Sequence, residues 1–220
     1  MNRKKLASMI EHTLLGENID EARLVSHVNA ALALDVLGVC VPMAFVPLAK
    51  ALLRGTNKIV VTVIDFPLGK KSGREKAQEA FAACALGADE IDMVLDYQAL
   101  IEKDYKKVLS DIQAVIESSS PTPIKVIVET SALGREQLAI ACALVALSGA
   151  PFIKTSTGFH KGGATPQDVS LMRSLLPDNV AIKASGGIRD YSCAEALVKA
   201  GATRIGASKS REILDTAPVR

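Results

Sequence analysis

The sequence predicts an α/β chain of one domain, a (β/α)8 TIM barrel spanning residues 1–220, and three observations predict it. Short apolar or β-branched runs alternate with helical patterns eight times along the chain. Gly-Ala recurs at three helix-to-strand junctions, Gly87-Ala88, Gly149-Ala150 and Gly201-Ala202. No Gly-x-Gly-x-x-Gly follows the first strong strand, which weighs against the alternative, a doubly wound open sheet.

Taken in order, residues 4–10 read as a short helix running into a first strand, Ile10 to Leu15. Asp20 opens a helix whose Leu24, Val28, Ala31 and Leu32 share a face, with His27 expected on its surface. Val39-Cys40-Val41 is a second strand, and a short helix bounded by prolines runs to about Leu53. Ile59 to Ile64, largely β-branched, is the third strand. Asp65 to Gly69 forms the loop after it, and Lys70 to Gly73 a polar, flexible stretch. Glu75 to Leu86 is helical, and Asp89 to Val94 is the fourth strand. Ile101, Tyr105, Val108, Ile112, Val115 and Ile116 keep the three-or-four spacing of one helix. Ile124 to Glu129 is the fifth strand, and Gly134 to Leu147 a helix. Pro151 to Lys154 makes the sixth strand, after which Thr165-Pro166-Gln167-Asp168 starts a helix with a cap and a first-turn proline. Val180 to Ala184 is the seventh strand, Asp190 caps the next helix, and Thr203 to Gly206 is the eighth strand before a short closing helix.

Composition narrows the function. The chain is 49% hydrophobic and 23% charged with a formal net charge of +2, so no field draws it to nucleic acid or to a membrane surface. Cys40, Cys84, Cys142 and Cys193 lie far apart within apolar patterns, as expected for reduced thiols in a cytoplasmic protein. The apolar run after Arg3-Lys4-Lys5 is too short for a signal-peptide core, and no stretch reaches the roughly 18 residues of a membrane helix. His12, His27 and His160 have no metal-ligand spacing, so no metal is expected.

Strand residues of a barrel alternate between the interior and the helix layer. With Ile91, Met93, Val126, Val128, Ile153 and Ile182 assigned to the helix layer, Asp92, Lys125, Glu129, Lys154 and Lys183 all turn inward. Lys125 with Glu90 or Glu129 reads equally as a buried ion pair. Lys154 and Lys183 end neighbouring strands, where barrels of this kind keep their active sites. A lysine attacks a carbonyl only as the neutral amine, and its reference pKa of roughly 10.4 must be lowered by burial or a nearby cation. One of the two is then the Schiff-base nucleophile and the other its electrostatic partner, with Asp92 moving protons. The loops at Gly158, Gly186-Gly187 and Gly206-Ala207-Ser208, with Arg189, Lys161 and Lys209 nearby, offer backbone N–H groups to a phosphate.

Glu90-Ile91-Asp92-Met93-Val94, Lys125 to Thr130, Phe152-Ile153-Lys154-Thr155-Ser156-Thr157-Gly158-Phe159, Lys183-Ala184-Ser185-Gly186-Gly187-Ile188-Arg189 and Thr203 to Ser208 together resemble the deoxyribose-phosphate aldolase family. The resemblance runs from about Leu6 to Ser208. It implies a class I aldolase that cleaves 2-deoxy-D-ribose 5-phosphate reversibly to D-glyceraldehyde 3-phosphate and acetaldehyde, without a metal or other cofactor. It assigns the Schiff base to Lys154, the second catalytic amine to Lys183 and proton transfer to Asp92. Gly158, Gly186, Gly187, Ser208, Thr157 and Glu11 become substrate- and phosphate-binding positions. The family further implies a cytoplasmic homodimer. The chain departs from the family in Glu11 where Asp is usual, in Pro42-Met43 after the second strand, in Asp65, in Lys209, and in a tail with no tyrosine after Tyr191. Another Schiff-base aldolase acting on a different sugar or keto-acid phosphate, and a non-catalytic sugar-phosphate sensor, are the rival readings.

Overall fold

In the computed structural model, which describes residues 1–218, eight parallel strands close on themselves. They are β1 (Ile10–Thr13), β2 (Gly38–Val41), β3 (Ile59–Ile64), β4 (Glu90–Val94), β5 (Ile124–Ile127), β6 (Phe152–Lys154), β7 (Ala181–Ser185) and β8 (Arg204–Ala207). Each pairs with the next, and β8 pairs with β1. Around them run α1 (Arg3–Ala7), α2 (Glu21–Ala33), α3 (Val46–Leu52), α4 (Gly73–Ala85), α5 (Tyr97–Ile101), α6 (Tyr105–Ser119), α7 (Arg135–Ser148), α8 (Pro166–Leu175), α9 (Tyr191–Lys199) and α10 (Ser210–Asp215). This is the single-domain (β/α)8 TIM barrel that the alternation predicts. Among the described residues no helix is long and apolar enough to cross a membrane.

Alternation along the strands sorts the two sides of the barrel wall. Ile91, Met93, Val126, Ile153, Ile182 and Ile205 are fully buried against the helices, each gaining about 1.5–3 kcal/mol from removal from water. The polar alternates face the axis, and parallel pairing puts them side by side. Lys154 is the Cα partner of Lys183, Lys183 of Arg204, and Asp92 of Lys125. The helices are started by side chains the sequence supplies: Asp20, Asp190 and Thr165 each accept a hydrogen bond from the N–H three residues on, typically worth about 1 kcal/mol.

Several elements differ from the sequence expectation, each for a local reason. The first strand stops at Thr13, not Leu15. The helix expected from Ile101 through Ile116 is two helices, because Lys103 adopts φ +66° and Asp104 caps α6 anew through the N–H of Lys107. The fifth strand ends at Ile127, and Glu129 turns into the left-handed region at φ +54°. Residues 70–73, expected to be flexible, are pinned: the N–H of Lys71 donates to Asp65 Oδ2 at 3.0 Å, and Ser72 forms a capping box with Glu75.

His27 corrects the expectation of a surface position. It is buried, because it lies on the same face of α2 as Leu24, Val28 and Ala31. Its ring stacks on His12 at 3.9 Å and 11°, and its Nε2 bonds the His12 carbonyl at 3.1 Å. His12 Nδ1 in turn meets Ser210 Oγ at 2.8 Å. Burial and the neighbouring ring lower His12 from 6.5 to about 3, and burial lowers His27. A histidine held neutral stabilises the fold fully above its unfolded value of 6.5 and progressively less as pH falls toward 3. His12 alone therefore removes about 2 kcal/mol of stability between neutrality and about pH 5. Urea unfolding at the two pH values checks this; the loss shrinks in His12→Asn, and an identical loss in that variant contradicts the assignment.

Candidate active site

The interior carries a connected ionic network. Asp92 on β4 is fully buried and accepts three amines: Lys125 on Oδ1 at 2.9 Å, and Lys154 at 2.8 Å and Lys183 at 2.6 Å, both on Oδ2. The two lysines that the sequence sets on neighbouring strands thus meet on one carboxylate oxygen. Lys125 also reaches Glu90 at 2.6 Å, and Arg204 pairs with Glu90 at 3.0 Å while lying over the Phe152 ring. Glu11 is bonded by Lys183 and by Arg204 Nη1, the latter at 3.2 Å. Arg204 and Glu90 are the only members of this network that keep appreciable contact with water, at the end of the barrel away from the cavity-lining loops.

Electrostatics separate the two amines. Burial lowers Lys154, Asp92 opposes that, Lys183 adds to it, and the net displacement is downward. Burial works against the charge of Lys183 as well, but Asp92 and Glu11 together outweigh it and raise its value above that of free lysine. Lys125 follows Lys183. Asp92 is disfavoured as an anion by burial, yet Lys125, Lys154 and Lys183 hold its carboxyl well below the usual range. The cluster therefore contains one amine biased toward the neutral form, beside a persistent ammonium and a persistent carboxylate. Cys40 also faces inward on β2, and burial pushes its thiol up to about 11, so it is an uncharged wall group. The other cysteines are likewise unpaired.

Above the network opens a cavity of about 260 Å³ at the C-terminal ends of the strands. Lys154 lines it; Asp92, Lys183 and Glu11 do not. Thr157, Gly158, Gly186, Gly187 and Ser208 border the same cavity, so three loops expected to hold a phosphate converge over the one amine expected to react. Gly186 has φ +88°, and a Cβ there would stand 3.1 Å from the Cα of Gly163, whose own Cβ would meet the Gly186 carbonyl at 2.3 Å. These loops pack backbone on backbone, an approach only glycine allows. Arg189, Lys161 and Lys209 are exposed and are not part of the cavity lining.

Glu11 departs from the expected substrate contact. It has no exposed surface and both carboxylate oxygens are taken by Lys183 and Arg204, because its strand position faces the axis below the cavity. Glu129, expected as an interior strand charge, instead braces the β6 loop, accepting the N–H of Thr157 at 3.1 Å and its hydroxyl at 2.5 Å. Sequence reasoning missed Lys76, which is fully buried on α4. Its Nζ donates to the Gly69 and Val94 carbonyls at 3.2 Å and pairs with Asp65 at 3.3 Å, tying the β3 loop to the end of β4. That loop carries Phe66, whose ring meets the cavity residue Phe159 edge to face at 5.1 Å. The available signal was spacing: Lys76 falls on the stripe of Ala80 and Ala83. Among the described residues no group of three or more His, Cys, Asp or Glu is placed to hold a metal ion.

The model of the DeoC/LacD family aldolases matches residues 7–215. The chain belongs to that family. A deoxyribose-phosphate aldolase of Clostridium perfringens (strain SM101 / Type A) is 45% identical over 216 residues, covering 98% of this chain and 96% of its own. Among solved structures, a putative deoxyribose-phosphate aldolase from Coccidioides immitis superposes with a TM-score of 0.95 at 37% identity, over 98% of this chain and 86% of the other. The tetrameric deoxyribose phosphate aldolase from Aeropyrum pernix superposes with a TM-score of 0.89 at 28% identity, over 97% and 91%. The protein is thus an aldolase, a lyase acting on carbon–carbon bonds, as the sequence resemblance implies.

Proposed function

We propose that this aldolase reversibly cleaves 2-deoxy-D-ribose 5-phosphate to D-glyceraldehyde 3-phosphate and acetaldehyde through a Schiff base on Lys154. The observation that carries the reading is that Lys154 alone of the interior lysines lines the cavity and is also the one whose proton is destabilised. Its amine adds to the aldehyde carbon of the open-chain sugar, and the carbonyl oxygen leaves as water after taking up protons, one of them from the Lys183 ammonium. The resulting iminium draws electrons as the C3 hydroxyl gives its proton toward Asp92 through water, and the C2–C3 bond breaks. Glyceraldehyde 3-phosphate departs. The enamine left on Lys154 takes a proton at C2 and is hydrolysed to acetaldehyde, freeing the amine.

Binding of the 5-phosphate by the Gly158, Gly186-Gly187 and Ser208 loops belongs to the same reading, and so does a supporting place for Thr157 beside them. Gly186→Ala is expected to raise KM for the phosphorylated sugar about tenfold, equivalent to about 1.4 kcal/mol, while turnover of unphosphorylated deoxyribose changes little. Equal effects on both sugars would remove the phosphate from these loops. The reading also takes the protein to be a cytoplasmic homodimer, as the resemblance implies; sedimentation equilibrium tests the dimer, with a tetramer as the contrary outcome. The deciding assay for function is enzymatic detection of glyceraldehyde 3-phosphate formed from deoxyribose 5-phosphate, and absence of product from pure, folded protein rejects the assignment.

A further inference from the structure

The interior network contains four cations, Lys125, Lys154, Lys183 and Arg204, and three carboxylates, Glu11, Glu90 and Asp92. Unbalanced charge is expensive in a dry interior, so this set is neutral when one amine has lost its proton. Which amine loses it is not decided by position on the barrel. Lys154 and Lys183 are Cα partners, and their amines share the same oxygen of Asp92. It is decided by the second carboxylate. Lys183 has Asp92 on one side and Glu11 on the other, whereas Lys154 has Asp92 alone.

We propose that Glu11 assigns the two amines their opposite tasks: clamped by Arg204, it holds Lys183 as the proton-donating ammonium and so leaves Lys154 as the amine that attacks the carbonyl. This rests on the Schiff-base reading above and goes beyond it, since Glu11 is fully buried, does not line the cavity and acts as a positioning residue through Lys183. The groups facing Lys183 are Glu11 from β1, Cys40 from β2, Asp92 from β4, Lys154 from β6 and the Lys125 charge from β5, with Arg204 beside Glu11 on β8. Cys40 carries no charge near neutrality, so only Glu11 and Asp92 hold the ammonium. Asp92 is shared among three amines and Glu11 is not shared with Lys154. The Oε1 of Glu11 is fixed by Arg204 at 3.2 Å and lies 3.6 Å from Lys125, which keeps the carboxylate ionised and aimed.

The test is the pH dependence of kcat/KM for deoxyribose 5-phosphate cleavage in the unaltered protein, Glu11→Gln and Glu11→Asp. In Glu11→Gln the Lys183 ammonium loses one of its two counterions, and the profile gains an alkaline limb that falls more than about tenfold between neutrality and about pH 9. Glu11→Asp, which restores the charge, returns the profile toward that of the unaltered protein. A Glu11→Gln protein slowed by the same factor at every pH overturns the proposal, because a merely structural role scales the rate without reshaping the profile. Should Glu11→Gln not fold, nitrogen-15 NMR of lysine side chains in the unaltered protein decides: Lys183 keeps its proton at pH values where Lys154 has lost it, and the reverse order overturns the proposal. Failure of the aldolase reading itself is distinguishable, since the unaltered protein would then form no glyceraldehyde 3-phosphate at any pH.

Discussion

Lys154→Leu abolishes turnover while leaving the fold intact. Removing the group that forms the covalent intermediate leaves only binding and polarisation, and losses on the order of 10⁶ are measured when a nucleophile acting within such a unit is deleted. Stability moves the other way. Lys154 is the one cation of the network that meets a single carboxylate, and that one is shared, so its replacement by an apolar side chain of similar volume leaves three cations facing three carboxylates. No carboxylate is then left without a cation, so the cost of about 3–5 kcal/mol for stranding a buried charge does not arise. The expected result is therefore a dead enzyme with an unchanged or raised unfolding midpoint, read by steady-state assay and by urea denaturation on the same preparation. Measurable turnover would remove Lys154 from the chemistry. In the unaltered protein the same logic gives the pH dependence its sign: burial and Lys183 bring deprotonation of Lys154 below the free-lysine value, so kcat/KM rises with pH as that amine loses its proton.

Asp92→Asn has the second-largest effect and the opposite stability signature. The carboxylate is the shared partner of Lys125, Lys154 and Lys183, and the amide can neither balance their charge nor take a proton. Loss of a general acid–base group costs roughly 100- to 10,000-fold in rate. Breaking a buried charge network on one side costs about 3–5 kcal/mol in stability as well. Because the three lysines hold its carboxyl well below the ordinary value, Asp92 stabilises the fold at every pH above that of a free aspartate and loses this contribution only under strong acid. Steady-state kinetics and urea unfolding at neutral pH read both losses. A near-normal rate in Asp92→Asn would take the aspartate out of proton transfer.

Period-two alternation made the barrel and its inward charges legible, because a strand in a closed sheet has only two faces and the apolar alternates of β4 to β7 all belong on one of them. Asp92, Lys125, Lys154 and Lys183 could be aimed from the sequence for that reason. Features that depend on who is opposite whom were not legible. Nothing in the Glu11 neighbourhood says that a carboxylate from the first strand will be held by an arginine from the eighth. Lys76 hid because a lysine on a helix is ordinarily solvated, and only the closeness of Gly69, Val94 and Asp65 makes its burial tolerable. The break between α5 and α6 was marked by Asp104, a capping residue inside an otherwise continuous apolar period, which the period alone concealed. His27 was readable from its spacing with Leu24 and Val28 but was overruled by the usual preference of histidine for water.

The central claim is that the amine at the end of β6 becomes covalently bonded to an aldehyde. Incubating the protein with acetaldehyde, reducing with borohydride and mapping the alkylated peptide tests it most directly. The account predicts a secondary amine at Lys154 that is absent without acetaldehyde. An adduct at Lys183 or Lys125 in its place, or no reducible adduct in protein that still cleaves deoxyribose 5-phosphate, would contradict it.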